Sequence, residues 1–409
     1  MRLLSIIHKN KSFIEDIYTR NPNLKFESYE EQFEILSNEN LGGSEIWSTG
    51  LIPLGYQTKR IFANTSFVQK QWALENSYAI NELNWEENIA RKQIKEFQPE
   101  ILIVGNYSIF SAAFVRSIRN SVSSIRLIIG WCGSPHQYQA IFPEFDFILS
   151  PSLDIVDGFN SKGYTCYHLN LAFDPRVLDK LDLSSPPFID FSFVGSIIKS
   201  PGFHNNRESL LLELIKRTPI EIWSPIEHPS FGHKVQRRLY QFAYDTAKFA
   251  SQYSMMKEFF RNAHIYRSLL QKGRPNSFVN NNILRRSHPP VFGLPMFKIF
   301  RDSKVTLNIH GDITPTKAAN MRLYEATGVG TCLLTDWKSN LVDLFEPDSE
   351  IVTYRDSEEC IEKVLYLLNN ERKRKTIAEA GQKRTLTNHT IYKRAEQLDE
   401  IIKEELRKR

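Results

Sequence analysis

The stretch VTLNIHGDITPTKAANMRLYEATGVGTCLLTD, Val305 to Asp336, contains one full turn of the alternation that organises this chain. VTLNIHG is an apolar run of strand length. GDITPTKAA reads as a loop leaving its carboxyl end. A helix is expected to begin near Asn320, where the side chain is suited to capping free N–H groups. Gly328 and Gly330 permit a tight helix-to-strand turn. TCLLTD is then a second buried strand, ending at Asp336.

The same rhythm runs outward in both directions. ILIVGN (101–106), RLIIGW (126–131) and FDFILSPS (145–152) are strand-length apolar runs, and YTCYHLNL (164–171) follows them as a strand. Between them lie the helical segments NWEENIARKQIKEFQPE, IFSAAFVRSIRN and LDIVDGFNSKG. Further on, IDFSFVG, IEIWS and EIVTY alternate with NNRESLLLELIKR and EECIEKVLYLLNN. Strands apolar on both faces, alternating with helices, specify α/β architecture with parallel sheets covered on both sides.

At roughly 150 residues per domain, 409 residues suggest two such units. The expected division is 1–177 for a first Rossmann-like domain and 178–385 for a second. LDKLDLSSPPF (178–188) serves as the linker. Residues 226–292 break the rhythm with basic, aromatic, helix-like sequence and read as a helical insertion. Residues 386–409 form a final amphipathic helix. Two facing open sheets make a cleft outside the carboxyl ends of their strands, and such a cleft brings two substrates together.

Composition narrows the function. Hydrophobic residues make up 41% and charged residues 24%, an ordinary globular balance. The net charge of +5 is too mild to indicate nucleic acid, which is not an expected partner. Cys132, Cys166, Cys332 and Cys360 are widely spaced within or beside apolar runs, so buried reduced thiols are expected. The start, MRLLSIIHKNKSF, has too short an apolar run for a leader, and no run approaches a membrane span. A cytoplasmic protein is expected, and peripheral membrane contact remains compatible with it.

Arg322 and Glu325 are three apart, hence neighbours on one helix face. A helix N-terminus at the carboxyl end of a strand favours phosphate, and an Arg adds a charged donor. A Glu one turn further in has two oxygens for the hydroxyls of a ribose. This grouping suits a nucleotide.

From Asn320 the run NMRLYEATGVGTCLLTDWKSNLVDLFEPDSEIVTYRDSEECIEKVLYLLNNERKRKTIAEAGQKRTLTNHTIYKRAEQL resembles the C-terminal half of CgeB-like glycosyltransferases, a branch near the family 4 glycosyltransferases. Weaker echoes are SYEEQFEIL, GSEIWSTGLIPLGYQTKRIFAN, QKQWALEN and FSFVGS. The resemblance implies two facing Rossmann-like domains, the GT-B architecture. It implies a nucleotide-sugar donor held by the second domain, an acceptor held by the first, and a last helix that crosses back to the first. In the related enzymes two glutamates separated by seven residues hold the donor. Glu325 matches the second, which binds the ribose; Lys317 stands in place of the first and is an alternative partner for the diphosphate.

Other candidates follow from position. Gly195 and Ser196 lie between a strand and a helix, where such a loop approaches the donor diphosphate, with Lys199 and Arg207 as charge partners. Gly42, Gly43 and Ser44 resemble the glycine loop beneath the donor sugar. His136, after the strand 126–131, is the candidate catalytic base or sugar-holding group, and His310 directly precedes the donor loop. With no DxD or HxxxH arrangement, neither a metal site nor another cofactor is expected. The expected function is transfer of a sugar from a nucleotide-diphosphate sugar to a glycan, lipid-linked or protein acceptor. A non-catalytic nucleotide-sugar or glycan-binding protein and a nucleotide-sugar epimerase are the alternatives.

Overall fold

The computed structural model describes residues 1–39, 41–42, 45–80, 83–134, 140–197, 205–226, 229–250, 273–311 and 316–409. The first sheet holds β1 (Arg2–Ile7), β2 (Gln57–Phe62), β3 (Ile101–Val104), β4 (Leu127–Trp131), β5 (Phe147–Ser150) and β6 (Cys166–His168). Its order is β2-β1-β3-β4-β5-β6, and every pairing is parallel. The second holds β7 (Ile189–Val194), β8 (Ile220–Trp223), β9 (Ser287–His288), β10 (Ser303–Asn308), β11 (Cys332–Asp336) and β12 (Val352–Tyr354). Its order is β12-β11-β10-β7-β8-β9, again all parallel.

The physical reason is visible strand by strand. All four residues of β3 and of β5 are buried, so neither sheet face tolerates water. The helix Trp85–Phe97 buries Ile89, Ala90, Gln93, Ile94 and Phe97, one stripe at helical spacing. Ser111 caps the helix Ala112–Ser121 by accepting from the Phe114 N–H at 3.1 Å.

Two elements differ from the sequence expectation. RLLSII at the amino end is not merely a short apolar run: it is β1, paired on both sides. The segment expected as a helical insertion contains the helices Phe231–Ala250 and Asn281–Leu284, but it also supplies β9, which extends the sheet edge beside β8. The four cysteines are buried and form no disulfide. No helix among the described residues is long and apolar enough to cross a membrane.

The chain returns to the first sheet at its end. The Phe173 N–H donates to the His389 carbonyl and the Ile391 N–H to the Phe173 carbonyl, both at 2.9 Å. The helix Ile391–Arg407 then lays Ile391, Ala395, Leu398 and Ile402 against Leu3, Ile101, Ile103, Leu127 and Ile129. It thereby covers a sheet face that would otherwise be an exposed apolar surface. Gly50 makes this approach feasible: a Cβ there would lie 2.9 Å from the Ile391 carbonyl oxygen.

Candidate functional site

In each sheet the strand order turns beside the first strand, between β1 and β3 and between β7 and β10. Crevices at the carboxyl ends of such switch points are where open α/β sheets bind ligands. In the second sheet Arg207 spans that crevice. The buried guanidinium donates from Nη1 to the Ser196 carbonyl at 2.8 Å and from Nη2 to the Ile309 carbonyl at 2.5 Å. It therefore fastens the loops that follow β7 and β10. Gly195 begins the first of these loops and donates its N–H to the Trp223 carbonyl at 3.1 Å.

The loop that follows β10 returns to its helix on two amides. Asn340 accepts from the Ala318 N–H at 2.6 Å and donates to the Ala318 carbonyl at 3.0 Å. Asn320 donates to Asn308 Oδ1 at 2.6 Å. Asn320 is not the helix cap expected from sequence. The helix spans Arg322–Gly328, Met321 is its N-cap residue, and no side chain caps it. Lys317 is partly buried on the same loop, with no hydrogen bond or ion pair among the described residues.

Arg322 and Glu325 meet as their spacing requires. Arg322 Nη1 pairs with Glu325 Oε2, and Arg322 Nε donates to the Val194 carbonyl at 3.0 Å. The pair thus ties the helix to the end of β7. Glu325 is 4% exposed, and its Oε1 has no partner among the described residues. The sequence expectation offered both carboxylate oxygens to a ribose; the structure commits one of them to Arg322.

His310 is buried. Asp336 Oδ1 accepts from its backbone N–H at 2.8 Å and contacts its Nδ1 at 2.7 Å. Burial pushes the Asp336 carboxyl up, but the His310 hydrogen bonds and Lys338, 3.3 Å away, outweigh it and hold the group below its ordinary value. Nε2 of His310 has no partner among the described residues. A cavity of about 390 Å³ opens beside this dyad at the ends of β10, β11 and β12. A larger one, of about 660 Å³, lies on the insertion around Arg237, Tyr240 and Phe278, not at the strand ends.

The first sheet presents its own switch point to the same cleft. A cavity of about 200 Å³ is lined by His8 and Lys9 after β1, Gly105 after β3, Trp131 at the end of β4, and Gly42, Trp47 and Met321. Gly42 has φ +146°, a conformation that favours glycine, and a Cβ built on it would sit 3.8 Å from Met321. Residues of the first-sheet unit therefore touch the residue that opens the Arg322–Gly328 helix. Gly43, Ser44, His136 and Lys199 lie outside the described residues.

Sequence reading did not find the buried cluster beneath this cavity. Glu45 is fully buried and accepts from Arg60 at 2.5 Å, Arg176 at 2.9 Å and Thr49 at 2.6 Å. Arg176 also pairs with Asp174 at 2.5 Å. The only sequence signal was that Glu45 directly follows the glycine loop. Among the described residues no group of three His, Cys, Asp or Glu is placed to hold a metal ion.

Residues 267–400 match the family described as Glycosyl transferase-like. No curated protein matches the chain in sequence. Solved structures match it over nearly its whole length. Anabaena HepE in complex with UDP and glucose has a TM-score of 0.55 at 10% identity, covering 99% of this chain and 100% of that one. A sucrose-phosphate synthase from Thermosynechococcus elongatus and a glycosyltransferase from Rickettsia africae each have a TM-score of 0.53 at 10% identity, covering 99% of this chain and 98% of theirs. The chain therefore has the two-domain GT-B fold, and residues 267–400 within it are glycosyl transferase-like.

Proposed function

We propose that this protein is a glycosyltransferase of the CgeB-like branch, moving a hexosyl or related group from a nucleotide-diphosphate sugar to a glycan, lipid-linked or protein acceptor. The observation that carries the reading is the Arg322–Glu325 pair, anchored to the end of β7 and set beside the cleft where Met321 meets Gly42. The family match over residues 267–400 and the complex of the similar HepE with UDP and glucose support it.

In this reading the unit 178–385 holds the donor and the unit 1–177 the acceptor, with the cytoplasm as the working compartment. Glu325 Oε1 accepts a ribose hydroxyl, and Arg322 holds the carboxylate in orientation. Gly195 and Ser196 border the diphosphate, and Lys317 supplies a cation to it. Departure of the diphosphate leaves oxocarbenium-like charge at the anomeric carbon, as in glycoside hydrolysis. The rate then comes from stabilising the leaving phosphates and aligning the acceptor hydroxyl.

The test is turnover. The purified chain is incubated with UDP-glucose, UDP-N-acetylglucosamine, GDP-mannose and dTDP-glucose, and release of nucleoside diphosphate is followed. A transferase releases it slowly to water and faster with acceptor. A binding protein retains the intact nucleotide sugar and releases nothing, which would overturn the proposal.

A further inference from the structure

The cavity at the first switch point has a chemistry of its own. Lys9 enters from the end of β1, partly buried, with its Nζ 5.2 Å from the Phe13 ring centroid. It has no ion pair among the described residues. The nearby carboxylate, Glu45, is already shared by Arg60 and Arg176. Among the described residues, Lys9, Arg60 and Arg176 thus stand against Glu45 and Asp174, an excess of one positive charge.

The lining also holds two indoles. Trp47 and Trp131 have ring centroids 5.0 Å apart, inclined at 55°. Trp47 is 4% exposed, and its indole N–H has no acceptor among the described residues. A buried donor without an acceptor and a poorly hydrated ammonium without a counter-ion both disfavour the empty site. A ligand that carries an anion and further acceptor oxygens would satisfy both. The volume of about 200 Å³ is below the roughly 300–1,000 Å³ of drug-sized pockets, so the site suits one ring rather than a nucleotide sugar.

We propose that this cavity is the acceptor subsite and takes a single sugar ring bearing an anionic group, carboxylate or phosphate, with the ring against Trp47 and Trp131 and the anion on Lys9. The inference rests on the glycosyl-transfer reading for the word acceptor; the anion-and-ring chemistry stands on the cavity alone. Burial lowers the Lys9 amine to about 8, Glu45 opposes that shift and Arg60 adds to it. A bound anion would reverse the shift, so its affinity falls as pH rises above that value.

The test titrates glucuronic acid, glucose 6-phosphate and neutral glucose into the UDP-saturated full chain, followed by indole fluorescence and ligand-observed NMR. One of the two acids is expected to bind at least about tenfold more tightly than glucose. Preference for glucuronic acid assigns the carboxylate, and preference for glucose 6-phosphate the phosphate. Lys9→Met should bring that acid to the glucose level, Lys9→Arg should restore much of the difference, and Trp47→Phe should weaken both acid and glucose. Circular dichroism and UDP affinity should stay as in wild type, which shows the variants folded. Three ligands that bind alike or not at all, or a Lys9→Met chain that still prefers the acid, would overturn the subsite. So would a Lys9→Met chain that loses UDP as strongly as the acid, since the amine would then serve the leaving group. If wild type binds no UDP, the nucleotide it does bind among GDP, dTDP and CMP takes the place of UDP; if it binds none, the glycosyl-transfer reading fails by itself, and the same comparison without nucleotide decides the cavity.

Discussion

Arg394 donates from Nη2 to Nδ1 of His389 at 2.6 Å, and the other ring nitrogen of His389 lies 2.9 Å from the Leu344 carbonyl. A guanidinium has no lone pair, so Nδ1 must be bare and Nε2 must carry the proton it gives to Leu344. His389 sits where the chain leaves the second unit and starts back to the first. Burial, aided by Arg394 and Arg384, lowers its pKa to about 4 against the opposing Leu344 hydrogen bond.

The sign of the pH effect follows. Between about 4 and 6.5 the unfolded chain binds a proton at His389 that the folded chain refuses, so stability falls as pH drops through that window. The loss approaches about 3 kcal/mol at its lower end. His389→Gln keeps a donor for Leu344 and an acceptor for Arg394 without titrating. Urea denaturation between pH 6.5 and 4.5 should show a shallower loss for the variant; parallel curves would exclude His389 as the acid-sensitive group.

The returning helix is held by polar contacts as well as by its apolar stripe. Tyr56 donates to Asp399 at 2.8 Å, and Lys403 donates to the other Asp399 oxygen at 2.7 Å. Tyr56→Phe should cost about 1–2 kcal/mol, because Asp399 keeps one partner. Gly50→Ala should cost about 1–3 kcal/mol, because its methyl meets backbone rather than a side chain able to move. Chemical denaturation of both variants measures this; a neutral Gly50→Ala would mean that the helix is not docked where Ile391 and Ala395 place it.

The parallel sheets were legible in the sequence because strands buried on both faces appear as unbroken apolar runs, as in ILIV and FILS. RLLSII does not announce itself as a strand, because six residues with one apolar run fit a leader fragment as well as β1. Its pairing with β2 and β3 depends on partners about 55 and 100 residues away, a separation no local pattern reports. Arg322 and Glu325 were legible because helical spacing fixes their contact. Asn320 was misplaced as a cap because the helix starts two residues later and its amide goes to Asn308 instead. Lys9, Trp47 and the Glu45 cluster were invisible for the same reason as β1: Arg176 reaches Glu45 across the whole first sheet's worth of chain.

Lys9 gives a second prediction about pH, of the same sign but in an alkaline window. Its folded pKa of about 8 lies below the ordinary 10.5, so its charge opposes folding at neutral pH and that penalty disappears as pH rises from about 8 to 10.5. The groups around it are His8, Glu45 and Arg60, with Arg176 and Asp174 behind Glu45. Lys9→Met should therefore melt a few degrees above wild type at pH 7, with the gap closing by pH 10. A variant less stable than wild type at pH 7 would show that the ammonium is paired in the folded protein.

The central claim is that the Arg322–Glu325 helix is half of a nucleotide site. Calorimetry with UDP, GDP, dTDP and CMP on wild type and on Glu325→Ala tests it most directly. One nucleoside diphosphate should bind at roughly micromolar strength, and the substitution should weaken it by about 1–3 kcal/mol, as for a lost charged hydrogen bond. If no nucleotide binds, or if Glu325→Ala binds as well as wild type, the pair only ties the helix to β7 and the glycosyltransferase account is contradicted.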